Sequence, residues 1–271
     1  MRKYLSILLM LQIVLNINAQ TTVFTGKDLR DILFSQSVKS CDEFMCRFNE
    51  EEFFPDLNKS DSLLGKKNFL FLFDYTISQN KDKDAFLDDV FSMYDTVKDN
   101  KVKLSFESNE WYAELRTNFT YKKKTVELGL IFKTEITPKG FPCWTLAGVN
   151  GLDKIGYLKS DEHMVVSPEQ HESEFMEIDS DFKNNSKEFS KFRSYNSELD
   201  GLTYFFALVE SGVLTYSGRL YCIYHFFDVP SYYFKVKYCS RQKSNNGWLI
   251  TDYKKVTEEE CNDIKNKILG L

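Results

Sequence analysis

Between residues 111 and 136 the chain alternates, and the alternation continues through a turn. Trp111, Ala113, Leu115, Thr117 and Phe119 interleave with Tyr112, Glu114, Arg116, Asn118 and Thr120. Val126, Leu128, Leu130, Phe132 and Ile136 interleave with Glu127, Gly129, Lys133 and Glu135, broken only by Ile131. A period of two marks half-buried strands. With Lys122-Lys123 as a two-residue turn, Phe119 faces Val126, Leu115 faces Leu130 and Ala113 faces Phe132. A slip of one residue would put each apolar partner on the wrong face, so the pattern fixes the register. A chain carrying this hairpin must bury one of its faces against other elements.

Those elements come from both sides. Helical spacing marks 27–49, through Leu29, Ile32, Leu33, Phe44, Met45 and Phe48. The run FLFLFDYTI at 69–77 suits a buried helix or a strand and reads as helix, because 84–97 continues in helical style. Val102, Leu104 and Phe106 alternate with polar residues and predict a strand, and 144–149 predicts another. Further on, a helix is expected over 197–209, closed by Gly212, then strands at 219–228, 232–239 and 248–256 and a tail helix at 258–269. Pairing about Pro230 and Ser231 sets Ile223 opposite Tyr238, His225 opposite Val236 and Phe227 opposite Phe234, with Lys235 and Lys237 on the other face. The same register opposes Cys222 and Cys239. Directly opposed strand residues have Cα atoms about 4.5–5.5 Å apart, within reach of a disulfide. The alternative is two free thiols side by side.

The stretch SPEQHESEFM at 167–176 poses a choice between an acid–base or metal site and a helix start. Ser167 suits an N-cap, Pro168 the first helical position, and Gln170 completes a capping box. His171, Phe175, Ile178 and Phe182 share one helical face while the glutamates mostly point elsewhere. The stretch reads as a helix start, with His171 at the border of a packing face. The polar run 150–167 before it reads as a linker. The domain expectation is therefore a segment 1–19, an N-terminal α+β lobe over 20–152 and a C-terminal α+β lobe over 167–271.

Residues 1–20 have Arg2 and Lys3, an apolar run over 5–15 and Ala19 before Gln20, the pattern of a secretory signal peptide. The apolar run is short of the roughly 20 residues that span a bilayer, so the expectation is an exported chain, periplasmic or extracellular, without a transmembrane anchor. Losing Arg2 and Lys3 moves the formal charge from −5 to −7. Nucleic-acid affinity rests on neutralising phosphates, and an acidic chain without a basic stripe is not expected to bind them. Lys122-Lys123-Lys124 reads as a solvated turn. Six cysteines allow fifteen full pairings, or remain free and buried; no CxxC spacing suggests zinc.

The two halves share an order. Each carries Glu-Phe-Met on a helix, at 43–45 and 174–176, then antiparallel strands, and closes on a strand opening with Trp144 or Trp248. Helices followed by a curved antiparallel sheet resemble the nuclear transport factor 2-like, or cystatin-like, α+β fold, here in tandem. The whole chain also resembles small exported bacterial proteins of unknown function. The resemblance implies helices packed on a sheet in each lobe. Its members include ketosteroid isomerase-like enzymes and many non-catalytic binding modules, and no acid–base residue of theirs maps onto this chain.

No phosphate loop, HExxH, GxSxG or EF-hand motif occurs in the sequence. His225 is the candidate polar group, on the apolar side of its strand between Ile223 and Phe227, with Tyr221, Tyr238 and Trp248 as candidate pocket lining. Neither a cofactor nor a metal is expected. The expected function is non-catalytic binding of a protein or small ligand. The alternatives are a small-pocket enzyme of the ketosteroid isomerase-like type and a structural protein of envelope assembly.

Overall fold

The computed structural model describes residues 37–74, 76–79, 82–157, 200–241 and 245–270. The signal-like segment, the start of the helix expected at 27–49, the 167–176 helix start, His163 and His171 lie outside these residues. The elements are α1 (Cys41–Phe48), α2 (Leu64–Phe71), a single helical turn (Thr76–Gln79), α3 (Lys83–Asp99), β1 (Trp111–Tyr121), β2 (Lys124–Ile136) and β3 (Pro142–Asn150). A 3-10 turn (Leu152–Ile155), α4 (Gly201–Glu210), β4 (Leu214–Phe226), β5 (Tyr232–Cys239), β6 (Gly247–Lys255) and α5 (Glu258–Leu269) follow, and the described residues form an α+β fold. Short polar side chains start the helices by taking otherwise unpaired N–H groups. Ser40 accepts from Glu43 N, Asp82 from Asp84 N and Ala85 N, and Asp200 from Thr203 N. Thr257 and Glu260 form a reciprocal capping box on α5.

The β1–β2 hairpin has the register that its alternation demands: Ala113 pairs with Phe132, Leu115 with Leu130 and Phe119 with Val126. Lys122 and Lys123 turn it with φ of 48° and 65°. Left-handed backbone costs an L-residue about 1–2 kcal/mol, and tight two-residue turns favour Asn-Gly for that reason. The double substitution Lys122→Asn with Lys123→Gly is therefore expected to raise stability by about 1 kcal/mol. Thermal unfolding checks it, and an unchanged or lower midpoint contradicts it.

The six strands among the described residues form one antiparallel sheet in the order β3-β2-β1-β4-β5-β6. The strands of the two halves thus lie in a single sheet, as two three-stranded meanders joined through their first strands. The helices cross over between them. Phe44, Phe48, Phe69 and Phe73 of the N-terminal half share a core with Phe226, Phe234, Val236, Leu249 and Ile250 of the C-terminal half. Phe205 of α4 packs instead with Phe119, Leu128, Leu130 and Val149. Each half's meander is thus covered largely by the other half's helices. The tandem order expects helices over their own strands; the β1–β4 seam lets them swap.

Both large cores lie on one face of the sheet, the helical face. The opposite face, the tail face, is covered in part by α5, where Ile131, Phe227, Tyr233, Val256 and Ile268 pack together. Ile131 breaks the alternation of β2 because that strand is buried on both sides here. The outer edge of β6 is occupied by two short segments, Val38 bridging Gly247 and Phe73 bridging Ile250, which satisfies backbone groups that an open edge would expose. Gly247 permits the first contact: a Cβ there would lie 2.1 Å from the Val38 carbonyl oxygen, and its φ is 95°.

Two expectations are corrected. Residues 102–106 form no strand. The Asn49 side chain accepts from Leu104 N at 2.9 Å and donates to its carbonyl at 3.0 Å, taking the backbone groups a ladder would need. The β4–β5 register is shifted by one: Phe226 pairs with Phe234, Tyr224 with Val236 and His225 with Lys235. The turn itself is centred as expected, with Tyr232 N donating to Val229 O at 3.0 Å. However, Phe227 and Asp228 then face Tyr233 alone, and Phe227 N donates to Glu110 O at 2.8 Å rather than to β5. This extra residue acts as a bulge and moves the pairing by one. Cys222 and Cys239 are consequently not opposed; both are free thiols, and Cys239 pairs with Gly247 of β6.

Candidate functional site

His225 is 3% exposed and sits on the tail face beside Ile223. Strand pairing brings Tyr112 and Glu114 of β1 next to it, and β5 supplies Tyr233. Its Nε2 lies 3.0 Å from Glu114 Oε2, and its Nδ1 lies 2.8 Å from Tyr233 Oη. An ionised carboxylate only accepts, so Nε2 carries the proton and the Tyr233 hydroxyl donates to Nδ1. Arg116 Nη2 lies 2.7 Å from Glu114 Oε1, an ionic contact off the hydrogen-bond line. Burial pushes Glu114 up, but the His225 hydrogen bond and the Arg116 charge outweigh it and hold the carboxyl below its usual range. Burial pushes His225 down against the opposing pull of Glu114, so the imidazole is neutral.

This Tyr–His–Glu chain has the residue types of a proton relay. Substrate access is what it lacks. Glu114, His225 and Tyr233 are all buried, and the polar atoms of His225 are spent on one another's partners. Nor do the four candidate residues converge. Tyr221 pairs with Arg116 on the tail face and is exposed, with Lys237 over its ring at 5.7 Å. Trp248 and Tyr238 pair with each other on the helical face, where Trp248 packs on Tyr224 at 4.7 Å. The one-residue shift and the sheet itself separate them. Sequence reasoning missed Glu114 and Tyr233 as partners of His225. Glu114 carried the signal of a solvated strand position, and only the β1–β4 pairing reveals otherwise.

A second polar group is half-buried nearby. Ser108 donates to Asp228 Oδ1, while Oδ2 is buried with no hydrogen-bond partner among the described residues. Glu110 and Lys265 flank it, paired at 2.5 Å. Burial pushes Asp228 up to about 6. The folded state thus holds this proton more tightly than the unfolded chain, so stability is lost as pH rises through about 6 and regained as it falls toward 4. Asp228→Asn is expected to raise stability by about 1–2 kcal/mol at pH 8, where the charge is removed, with the difference shrinking toward pH 4. Urea unfolding across that range checks it; a pH-independent difference contradicts it.

The structure also shows an open groove that the sequence did not flag. It measures about 500 Å³ and runs between α1, the 103–107 segment and the start of β3. Met45, Phe106 and Pro142 supply apolar lining; Asp42, Glu51 and Glu107 line it with carboxylates. Beside it the β2–β3 turn exposes Ile136 (55%), Phe141 (67%) and Trp144 (45%). Ile136 pairs with Pro142, and Trp144 stands on buried Trp111 at 4.9 Å, which in turn meets Phe106 at 5.5 Å. The Trp111 indole N–H behind them has no acceptor among the described residues.

No group of three or more metal-ligating side chains occurs among the described residues, and none of their helices is long and apolar enough to cross a membrane. No protein-family model, curated protein or solved structure matches the chain.

Proposed function

We propose that this is an exported, non-catalytic binding protein of the periplasm or cell exterior that engages another protein through an exposed apolar surface. The observation that carries this reading is the exposure of three large apolar side chains, Ile136, Phe141 and Trp144, within nine residues at the β2–β3 end of the sheet beside an open groove. Large apolar side chains gathered on a surface mark interaction sites, whereas scattered ones are ordinary. The buried state of His225 supports the non-catalytic part, because the chain's candidate acid–base group has both ring nitrogens engaged inside the protein. The resemblance to tandem nuclear transport factor 2-like domains is compatible with the two joined meanders, and that superfamily resemblance is part of the proposal. Export rests on the pattern of residues 1–20.

The test has two arms. Intact-mass measurement of the protein from its native envelope is expected to give a chain starting at Gln20; a chain retaining Met1 in the cytoplasm sinks the export reading. Cross-linking in native exported extract is expected to capture a defined protein partner, while a metabolite thermal-shift screen gives no shift. A specific metabolite shift with turnover would instead establish the small-pocket enzyme.

A further inference from the structure

We infer that the groove between α1 and the start of β3 docks an extended, lysine- or arginine-rich peptide segment of a partner protein, anchored by an apolar side chain among Phe106, Phe141 and Trp144. This inference rests on the interaction-protein reading and names the partner's chemistry.

Charge selects the occupant. Asp42, Glu51 and Glu107 line the groove, and Lys103, the one lining cation among the described residues, lies 3.2 Å from Glu51 as an exposed ion pair. The Cys46 thiol in the wall is pushed up by burial and then by the fields of Asp42, Glu52, Glu51 and Glu43, so the local potential is negative. A basic segment is attracted to such a surface, and its salt dependence follows. An anionic membrane surface and a nucleic acid are repelled by it. A second copy is disfavoured as well: the chain carries a formal charge of −5, and a two-fold contact would set the same carboxylates against each other. The apolar part supplies the anchor. Phe141 and Trp144 are exposed, while Trp144 rests on the rigid stack of Trp111 and Phe226, whose rings lie 5.6 Å apart and nearly parallel. Rigid aromatics backed by packed core are what interface anchors use.

The probe is a fluorescein-labelled synthetic peptide of alternating lysine and phenylalanine, titrated with the full-length mature protein and read by anisotropy. Its counterpart replaces each lysine with glutamate. The basic peptide is expected to bind and to weaken as salt rises, and the acidic one not to bind. Glu107→Lys is expected to weaken binding about fivefold, and Phe141→Ser about fivefold or more. Both positions are exposed, so both variants are expected to fold as the parent, which circular dichroism verifies. Equal binding of the two peptides, or affinities unmoved by both substitutions, overturns the groove. The second arm repeats the native cross-linking with the Glu107→Lys, Phe141→Ser double variant. Loss of the captured partner supports the groove. Undiminished capture overturns the groove and leaves the binding reading standing. No partner captured by either protein overturns the binding reading and the groove with it.

Discussion

Glu114→Ala is expected to lower stability by about 3–5 kcal/mol, the cost of removing one member of a buried ionic group and stranding the others. The stranded groups can be named. His225 would lose the acceptor for its Nε2 proton, now at 3.0 Å, and Arg116 would lose the carboxylate oxygen at 2.7 Å. Water does not replace the acceptor lost to His225, because His225 and Glu114 are buried beneath the tail face, whereas half-buried Arg116 keeps Glu127 at 3.6 Å. The asymmetry of buried polar groups supplies the control. Replacing Glu114 and His225 together with leucine removes both partners, and it is expected to cost less than the single Glu114→Ala change. Urea denaturation with an unchanged slope measures both. A single-variant loss under about 1 kcal/mol would mean that the pair contributes little. The pH profile carries a second signature. His225 is held neutral with its proton affinity pushed down by burial, so its stabilising share is present above the unfolded value near 6.5 and is lost as pH falls through the lower folded value. Glu114, also pushed down, adds a loss at still more acidic pH. Asp228 acts in the opposite sense between about 6 and 4. Removing Asp228 therefore exposes an acid-induced decline that the wild-type protein partly masks.

How far the sequence revealed this architecture depends on the kind of information each element carries. The β1–β2 hairpin was legible to the residue, since its alternation and its Lys122-Lys123 turn agree. The tail helix was legible too, because Thr257 and Glu260 mark its start. The β4–β5 register was not. β5 alternates, with Lys235 and Lys237 on one face, but β4 is apolar on both faces, through Ile223 and Phe227 on one and Tyr224 and Phe226 on the other, so either of its faces suits the apolar face of β5. The deciding contact, Phe227 N to Glu110 O, joins positions far apart in the chain. The same limit applies to the site. His225 was visible as a polar residue in an apolar strand, but its partner Glu114 is 111 residues away and looks like any solvated strand residue. The groove was invisible because Phe106 and Pro142 belong to segments that meet only through the fold. Phe106 in particular belongs to an alternating stretch that predicts a strand, and Asn49 prevents that strand from forming.

Asp74→Ala is expected to be of similar size, about 3–5 kcal/mol, for a related reason at the β6 edge of the sheet. Asp74 is buried, and its carboxylate takes a two-point contact from Arg241, at 2.5 Å from Nη1 to Oδ1 and 2.6 Å from Nη2 to Oδ2. The same Oδ1 accepts from Thr76 N at 2.9 Å and Thr76 Oγ1 at 2.8 Å. Paired donors of this kind make the stronger class of hydrogen bond. They fasten the segment after α2 to the loop between β5 and β6, and Asp74 N donates to Ile250 O at 2.8 Å within the same contact. Since α2 belongs to one half and β6 to the other, Asp74 holds the crossed arrangement of helices over strands. Burial pushes its pKa up, but Arg241 and Thr76 together pull it below the usual carboxylate value. Its stabilisation is therefore complete above the unfolded pKa near 3.9 and is lost as pH falls through the lower folded value. Asp74→Asn keeps acceptor Oδ1 while removing the charge, and it is expected to retain the Thr76 contacts and lose most of the Arg241 energy. Hydrogen exchange separates this local fastening from a general loss of core packing. The expected result is faster exchange at Ile250 and along β6, with β1 and β2 protected to the new global stability. Uniform loss of protection across all six strands, or a destabilisation under about 1 kcal/mol, would show that the crossed helices are held by the aromatic core alone.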